Sequence, residues 1–319
     1  MPTQKDLIKG AIVFIFIIIA FASWYFLSKN NKIVFGPFSN EPQVFVSDNN
    51  FAIVYQKEDS YFVNINKKIY GPYKEVKMKS ITDESFGFSY LDKNDNWYIN
   101  IDDVIIGPYE FAGEVSLEKN NFGFYYEKDG EWFADVNNKI YGPYLAINNM
   151  ALFEENLIFT YLKDDNKEHI FINEEEEDVF YDRVENVSAS LGGVAYVYLM
   201  AGEKFINFNG KMFGPYNSGV PIYLFNNGFL FWYLDQKDLL VNFNDVILGP
   251  YDSFNVLKNS QSVAFYYKKS NNDHYYISSN NKAFGPYDYN FVNGSISRKK
   301  IGLSYLEGNG WYAVITSPK

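Results

Sequence analysis

The chain has 319 residues, no cysteine, a formal charge of −11 and a pI near 4.8. The missing cysteines exclude disulfides, thiolate zinc sites, a cysteine nucleophile and a lipoprotein anchor, and an acidic chain without a long Lys/Arg run argues against nucleic acid as a partner. Aromatic residues make up 20% of the sequence and alternate with polar ones over most of it, the pattern of half-buried strands, so the expected class is all-β.

Residues 10–27 carry no charge and lie between Lys5 and Lys9 on one side and Lys29 and Lys32 on the other. Eighteen residues at a helical rise span roughly 27 Å, close to the bilayer's hydrocarbon thickness. Trp24 and Tyr25 fall near one end, where interfacial aromatics belong. Ala20-Phe21-Ala22 has the small-x-small form of a signal-peptidase site, which makes a cleaved leader the competing reading. The apolar run continues through Leu27, so an uncleaved signal anchor is preferred. The expected organisation is then a cytoplasmic segment at 1–9, a transmembrane helix at 10–27, a linker at 28–31 and an extracytoplasmic repeat domain at 32–316. That makes a single-pass membrane protein, held in the membrane through its N-terminal helix.

The repeat is marked by Gly36-Pro37-Phe38, which returns as Gly-Pro-Tyr at Gly71, Gly107, Gly142, Gly214, Gly249 and Gly285. The steps are 35, 36, 35, 72, 35 and 36 residues, and the 72 is two steps with one signature lost, placed at Val179-Phe180-Tyr181-Asp182. Such a period marks a solenoid, propeller or array. The clearest copy has a short run at 114–118, a turn at Asn120-Asn121, a strand at 122–126 and a hairpin turn at Lys128-Asp129-Gly130. A third strand at 131–136, a turn at Asn137-Asn138 and a fourth strand at 139–141 follow, and Gly142-Pro143-Tyr144 ends the copy.

Four-stranded meanders in series predict a β-propeller. Proline lacks a ladder N–H, so the Gly-Pro unit suits an outer edge strand, with the preceding Gly held extended and the following Tyr packed between blades. After Tyr287 only three strands remain, near 291–295, 301–305 and 311–315. The spare fourth strand is 32–38 at the other end of the array. Pairing the two closes a ring of about eight blades, with an open array as the alternative.

The aromatic third strands Trp97-Tyr98-Ile99-Asn100-Ile101 and Trp132-Phe133-Ala134-Asp135-Val136, with the Gly-Pro-Tyr ends, resemble bacterial WD40-like propeller repeats of the TolB type and WG-type repeats. The resemblance covers 32–315 and implies a propeller. It implies no activity, because propellers serve unrelated functions, and neither the usual Trp-Asp pair nor a TolB-like partner-binding segment is present.

Only His169 and His274 offer imidazole chemistry, and both are expected to be solvated at equivalent hairpins. No catalytic triad, Walker sequence, calcium loop or cofactor signature is present, so no catalytic residue, metal or cofactor is expected. Asp129-Gly130-Glu131-Trp132 is expected to be an ordinary hairpin. Glu174-Glu175-Glu176-Glu177-Asp178 is expected to be an exposed acidic turn before the degenerate fourth strand, with a cation or basic partner as the functional alternative. Residues following the Gly-Pro-Tyr units vary, and Asn217, Asp252 and Asp288 are the candidates for a polar binding face. The expected function is a binding or scaffold module for envelope proteins or glycans without catalysis. The alternative is an envelope glycan hydrolase or lyase using carboxylates from different blades.

Overall fold

The structure, a computed structural model, describes residues 33–316 except 166, 178–180, 217–220, 226–227, 259–262, 269–274, 280–281, 288–290, 297–299 and 308–309. The expected membrane span at 10–27 lies outside the described residues, among which no helix is long and apolar enough to cross a membrane.

The described chain is all-β and falls into eight antiparallel sheets. In chain order they cover 43–73, 75–109, 111–144, 146–176, 183–216, 222–251, 253–287 and, last, 291–316 together with 33–38. Seven have four strands. In the third sheet the first strand is broken into Phe111–Ala112 and Ser116–Glu118, both pairing with Asn121–Lys128.

Local sequence sets each meander. The turn between third and fourth strands begins with a left-handed Asn or Asp: Asn66, Asp102, Asn137, Asn173, Asn209 and Asn244 have φ between 48° and 52°. These short polar side chains tolerate that conformation and pay for little of it elsewhere. Each also accepts the N–H that opens the second strand of its own sheet, as Asn137 does from Phe122 at 2.9 Å and Asn244 from Phe229 at 2.8 Å. A two-residue loop with both φ values positive matches the strands' twist, so one residue type fixes the turn and the register beyond it.

The Gly-Pro unit lies within the fourth, outermost strand, whose edge needs no ladder donor from proline. The expected extended glycine is not what the fold uses. Gly142 has φ 120° and a cis bond to Pro143, and the pairing shifts there, with Trp132 opposite Tyr144 but Ala134 opposite Tyr141. A Cβ on Gly142 would stand 2.7 Å from the Trp132 carbonyl oxygen. Only glycine fits this bulge.

The aromatic that ends a unit packs ring against ring on a tyrosine in the second strand of the next sheet, as expected. Ring centroids are 4.2 Å apart for Tyr73 and Tyr90, 4.2 Å for Tyr109 and Tyr126, and 4.4 Å for Tyr144 and Tyr161. Tyr181, from the copy without Gly-Pro, packs against Tyr198 in a tilted pair with centroids 4.5 Å apart. The degenerate copy has therefore kept the packing residue. Its fourth strand is reduced to Glu175–Glu176, so the acidic run forms the turn and the strand itself rather than a turn ahead of it.

Between the third and fourth sheets, Ala134, Ile147, Met150, Leu157, Phe159 and Tyr161 are buried with their neighbours. Large apolar side chains contribute about 1.5–3 kcal/mol each on full burial, and comparable clusters lie at four further interfaces. The strand Ile33–Phe38 pairs with Gly310–Thr316, with Ile33 opposite Ile315 and Phe38 opposite Trp311. Ala313 and Ile315 pack with Val44, Val46 and Ile53 of the first sheet, so the last sheet meets the first. The architecture is a β-propeller.

Candidate functional site

All eight sheets contribute their innermost strand to one central channel of about 530 Å³. Gln43, Glu114, Asn149 and Asn186 line it, each five residues after a closing aromatic (Phe38, Tyr109, Tyr144 and Tyr181). They lie toward the end of the channel at which the first strands begin. Asn149 and Asn186 stand where the pairing of the first and second strands shifts register, and such bulges re-aim side chains. The result is a polar collar drawn from four sheets.

Lys79 and Lys77 enter the same region from the second sheet, with different fates. The Lys77 ammonium lies 4.0 Å from the Trp97 ring centroid and 3.7 Å from that of Phe111, and 3.8 Å from Glu75 Oε1. It also donates to the Ala112 carbonyl at 3.3 Å. Burial pulls its pKa down against the opposing fields of Glu75 and Glu114. Its surroundings satisfy it. Lys79 lines the channel, and its ammonium reaches past the third sheet to donate to the Met150 carbonyl of the fourth. Desolvation lowers its pKa, with Glu114 acting in the other direction. Among the described residues no carboxylate comes within 4.0 Å of it.

Tyr125 closes one side of this region. Its hydroxyl donates to the Asn148 carbonyl at 3.3 Å and its ring stacks beside Phe111 and Trp132. Burial, aided by Glu114, pushes its pKa up to about 12, so it is a neutral donor at physiological pH.

Asp252 is exposed, and its N–H donates to the Lys268 carbonyl at 3.0 Å. Asn217 and Asp288 lie outside the described residues. At equivalent positions of other repeats the side chain caps the next sheet's hairpin. Glu110 accepts from the Gly130 N–H at 3.1 Å, Asp182 from Ala201 at 2.9 Å, and Lys74 pairs with Asp95 at 2.6 Å. These segments lie on the face onto which the collar opens.

His169 is not solvated as expected. It is 6% exposed, stacks on Tyr161 and holds Nε2 3.2 Å from the Asp165 carboxylate. His274 lies outside the described residues. The acidic run is largely engaged: Glu174 pairs with Lys139 and Glu176 with Lys163. Glu177 accepts from the Tyr196 hydroxyl at 2.9 Å and the Tyr181 hydroxyl at 3.3 Å. Burial and the Tyr181 hydrogen bond hold the Tyr196 phenol far above its ordinary pKa. Among the described residues no three His, Asp or Glu gather as metal ligands. The Asp129-Gly130 hairpin joins the second and third strands as expected.

The fold and the collar together define a propeller with a polar, partly charged central channel. No family model and no curated protein matches the chain. Among solved structures, the WD40 domain of SCAP from fission yeast is similar at 10% identity and a TM-score of 0.48, covering 90% of this chain and 98% of that one. The β-propeller domain of the Trilobed protease from Pyrococcus furiosus has 10% identity and a TM-score of 0.47, over 88% and 96% of the two chains. An oligogalacturonate lyase in complex with manganese has 10% identity and a TM-score of 0.44, over 89% and 99%. Likenesses of this size bear on neither activity nor ligand.

Proposed function

We propose that this chain is a binding module, a complete eight-bladed propeller tethered to the membrane by residues 10–27, that takes an envelope protein or glycan at its channel mouth without catalysis. The observation that carries this reading is the convergence of Gln43, Glu114, Asn149 and Asn186 from four sheets on one channel end. Neutral amides exchange hydrogen bonds with polar ligands at little desolvation cost, and a channel of this size suits one small molecule or the end of a larger one. Asp252, with Asn217 and Asp288 at the equivalent repeat positions, is proposed to extend the surface outward from the mouth.

The tether fits the direction of the closing strand. Strand Ile33–Phe38 begins at the edge opposite the collar, where other sheets make their third-to-fourth turn. Exposed aliphatic residues gather at that edge: Val34 (48%), Ile69 (59%), Ile105 (59%), Ile140 (59%), Met212 (62%) and Ile247 (58%) hold one register position in six fourth strands. An anchor at this edge directs the mouth away from the bilayer. The alternative, a glycan hydrolase or lyase with carboxylates from different blades, has Glu114 as the one carboxylate among the described lining residues.

The test is capture from an envelope extract, proteins and glycans both, by the full chain in nanodiscs. A partner retained by the wild type and lost with Q43A/N149A/N186A supports the reading. Equal capture by both, or none by either, overturns it, and D252A alone is expected to weaken capture less than the triple change.

A further inference from the structure

We propose that Lys79 is the receptor for a carboxylate carried by the ligand, and that the ligand is an acidic saccharide bearing a uronate. This deepens the channel-mouth reading above and rests on it.

The field of Glu114 reaches Lys79, but no ion pair among the described residues neutralises it. Lys79 is half-buried in the channel wall, donates to the Met150 carbonyl, and has no carboxylate within 4.0 Å among the described residues. Three exposed lysines elsewhere in the chain do pair with acids: Lys68 with Asp103, Lys119 with Glu154, and Lys211 with Asp245. An ammonium has three N–H donors, and one carbonyl uses one of them. Desolvated charge is costly unless it is paired. A ligand carboxylate beside Lys79 would supply the missing counter-charge, in a charge-assisted hydrogen bond stronger than a neutral one.

The neighbours decide which carboxylate. Gln43, Asn149 and Asn186 offer both donors and acceptors, the complement of sugar hydroxyls. Tyr125 adds a hydroxyl oxygen, held at the Asn148 carbonyl, that can accept a further hydrogen bond. Glu114, on the same wall, repels a second negative charge placed near it, which favours a ligand with one carboxylate at this depth. A chain of net charge −11 offers little long-range attraction to acidic glycans, so recognition would be local and short-ranged.

The experiment is calorimetric titration of the full chain in nanodiscs with three probes: glucuronate oligosaccharide of two to three units, cellobiose as a neutral counterpart, and a tripeptide with a free C-terminus. The glucuronate is expected to bind at least tenfold more tightly than cellobiose, and K79Q to erase that difference. Equal binding of glucuronate and cellobiose by the wild type overturns the carboxylate receptor and leaves the binding-module reading standing. A difference that persists in K79Q overturns the role of Lys79. Tightest binding of the tripeptide overturns the saccharide assignment. Reductive ¹³C-methylation supplies a measurement that needs no folded variant: the Lys79 signal must shift on glucuronate addition, and a signal that stays still overturns the proposal.

Discussion

Gly142 and Gly130 both have positive φ, yet their surroundings differ. A Cβ on Gly142 meets the Trp132 carbonyl at 2.7 Å, whereas one on Gly130 meets nothing within 4 Å. Gly142→Ala is therefore expected to cost about 3 kcal/mol or more, strain and clash together, and Gly130→Ala about 1 kcal/mol. Urea midpoints at unchanged slope check the order; equal losses would mean that the bulge yields easily. Asn137→Ala removes the acceptor for the Phe122 N–H and a residue suited to φ 52°, an expected loss of about 1 kcal/mol by the same measurement. At this scale the repeat signature was legible because glycine and proline have few conformational substitutes. The collar was less so. Its spacing of five residues from each closing aromatic is in the sequence, but the aiming of Asn149 and Asn186 depends on bulges that no local pattern announces.

The strand meander was legible for a different reason. Alternating aromatics and Asn or Asp-Gly turns specify pairing locally, so the third strand expected at 131–136 is observed as Glu131–Val136. Fourth strands run three residues beyond expectation, because the Gly-Pro-Tyr unit stays within the strand as a bulge instead of ending it. The degenerate copy was harder. Its place follows from the period, but its last strand is only Glu175–Glu176, and the acids there bind Lys163 and Tyr196, which no local pattern announces. His169 differs from expectation because, within its own hairpin, it stacks on its cross-strand partner Tyr161 and meets Asp165 of the loop. The recurring aromatic pair is the element-scale fastener between sheets. A double-mutant cycle on Tyr144 and Tyr161 is expected to give a coupling of about 0.5–1.5 kcal/mol. Additive losses would assign Tyr144 to burial alone.

Across the whole molecule the same aromatic pairs set an alkaline limit. Tyr73, Tyr109, Tyr144 and Tyr216 are pushed up to about 12, chiefly by burial. Their unfolded value is near 10, so between pH 10 and 12 the unfolded chain loses phenolic protons that the folded one keeps. The stability they contribute is fully present below pH 10 and is lost as pH rises through 12. Far-UV circular dichroism with tyrosinate absorbance is expected to show unfolding and ionisation together in that window; ionisation at pH 10 with the fold intact would contradict it. Lys79 acts in the opposite sense, because its folded pKa is lowered and the unfolded chain holds its proton to higher pH. Its contribution to stability rises with pH through the interval between the two values.

Ring closure underlies the channel, the collar and the direction of the tether, and the absence of cysteine allows it to be tested without background thiols. Double-cysteine variants at the facing pairs Ile33 and Ile315, Val34 and Val314, and Phe35 and Ala313 would be oxidised in the native full chain, with Tyr125 and Ala134, paired within the third sheet, as a control. At least one closing pair is predicted to cross-link in a yield matching the control. A control that cross-links while all three closing pairs keep free thiols would contradict the closed ring.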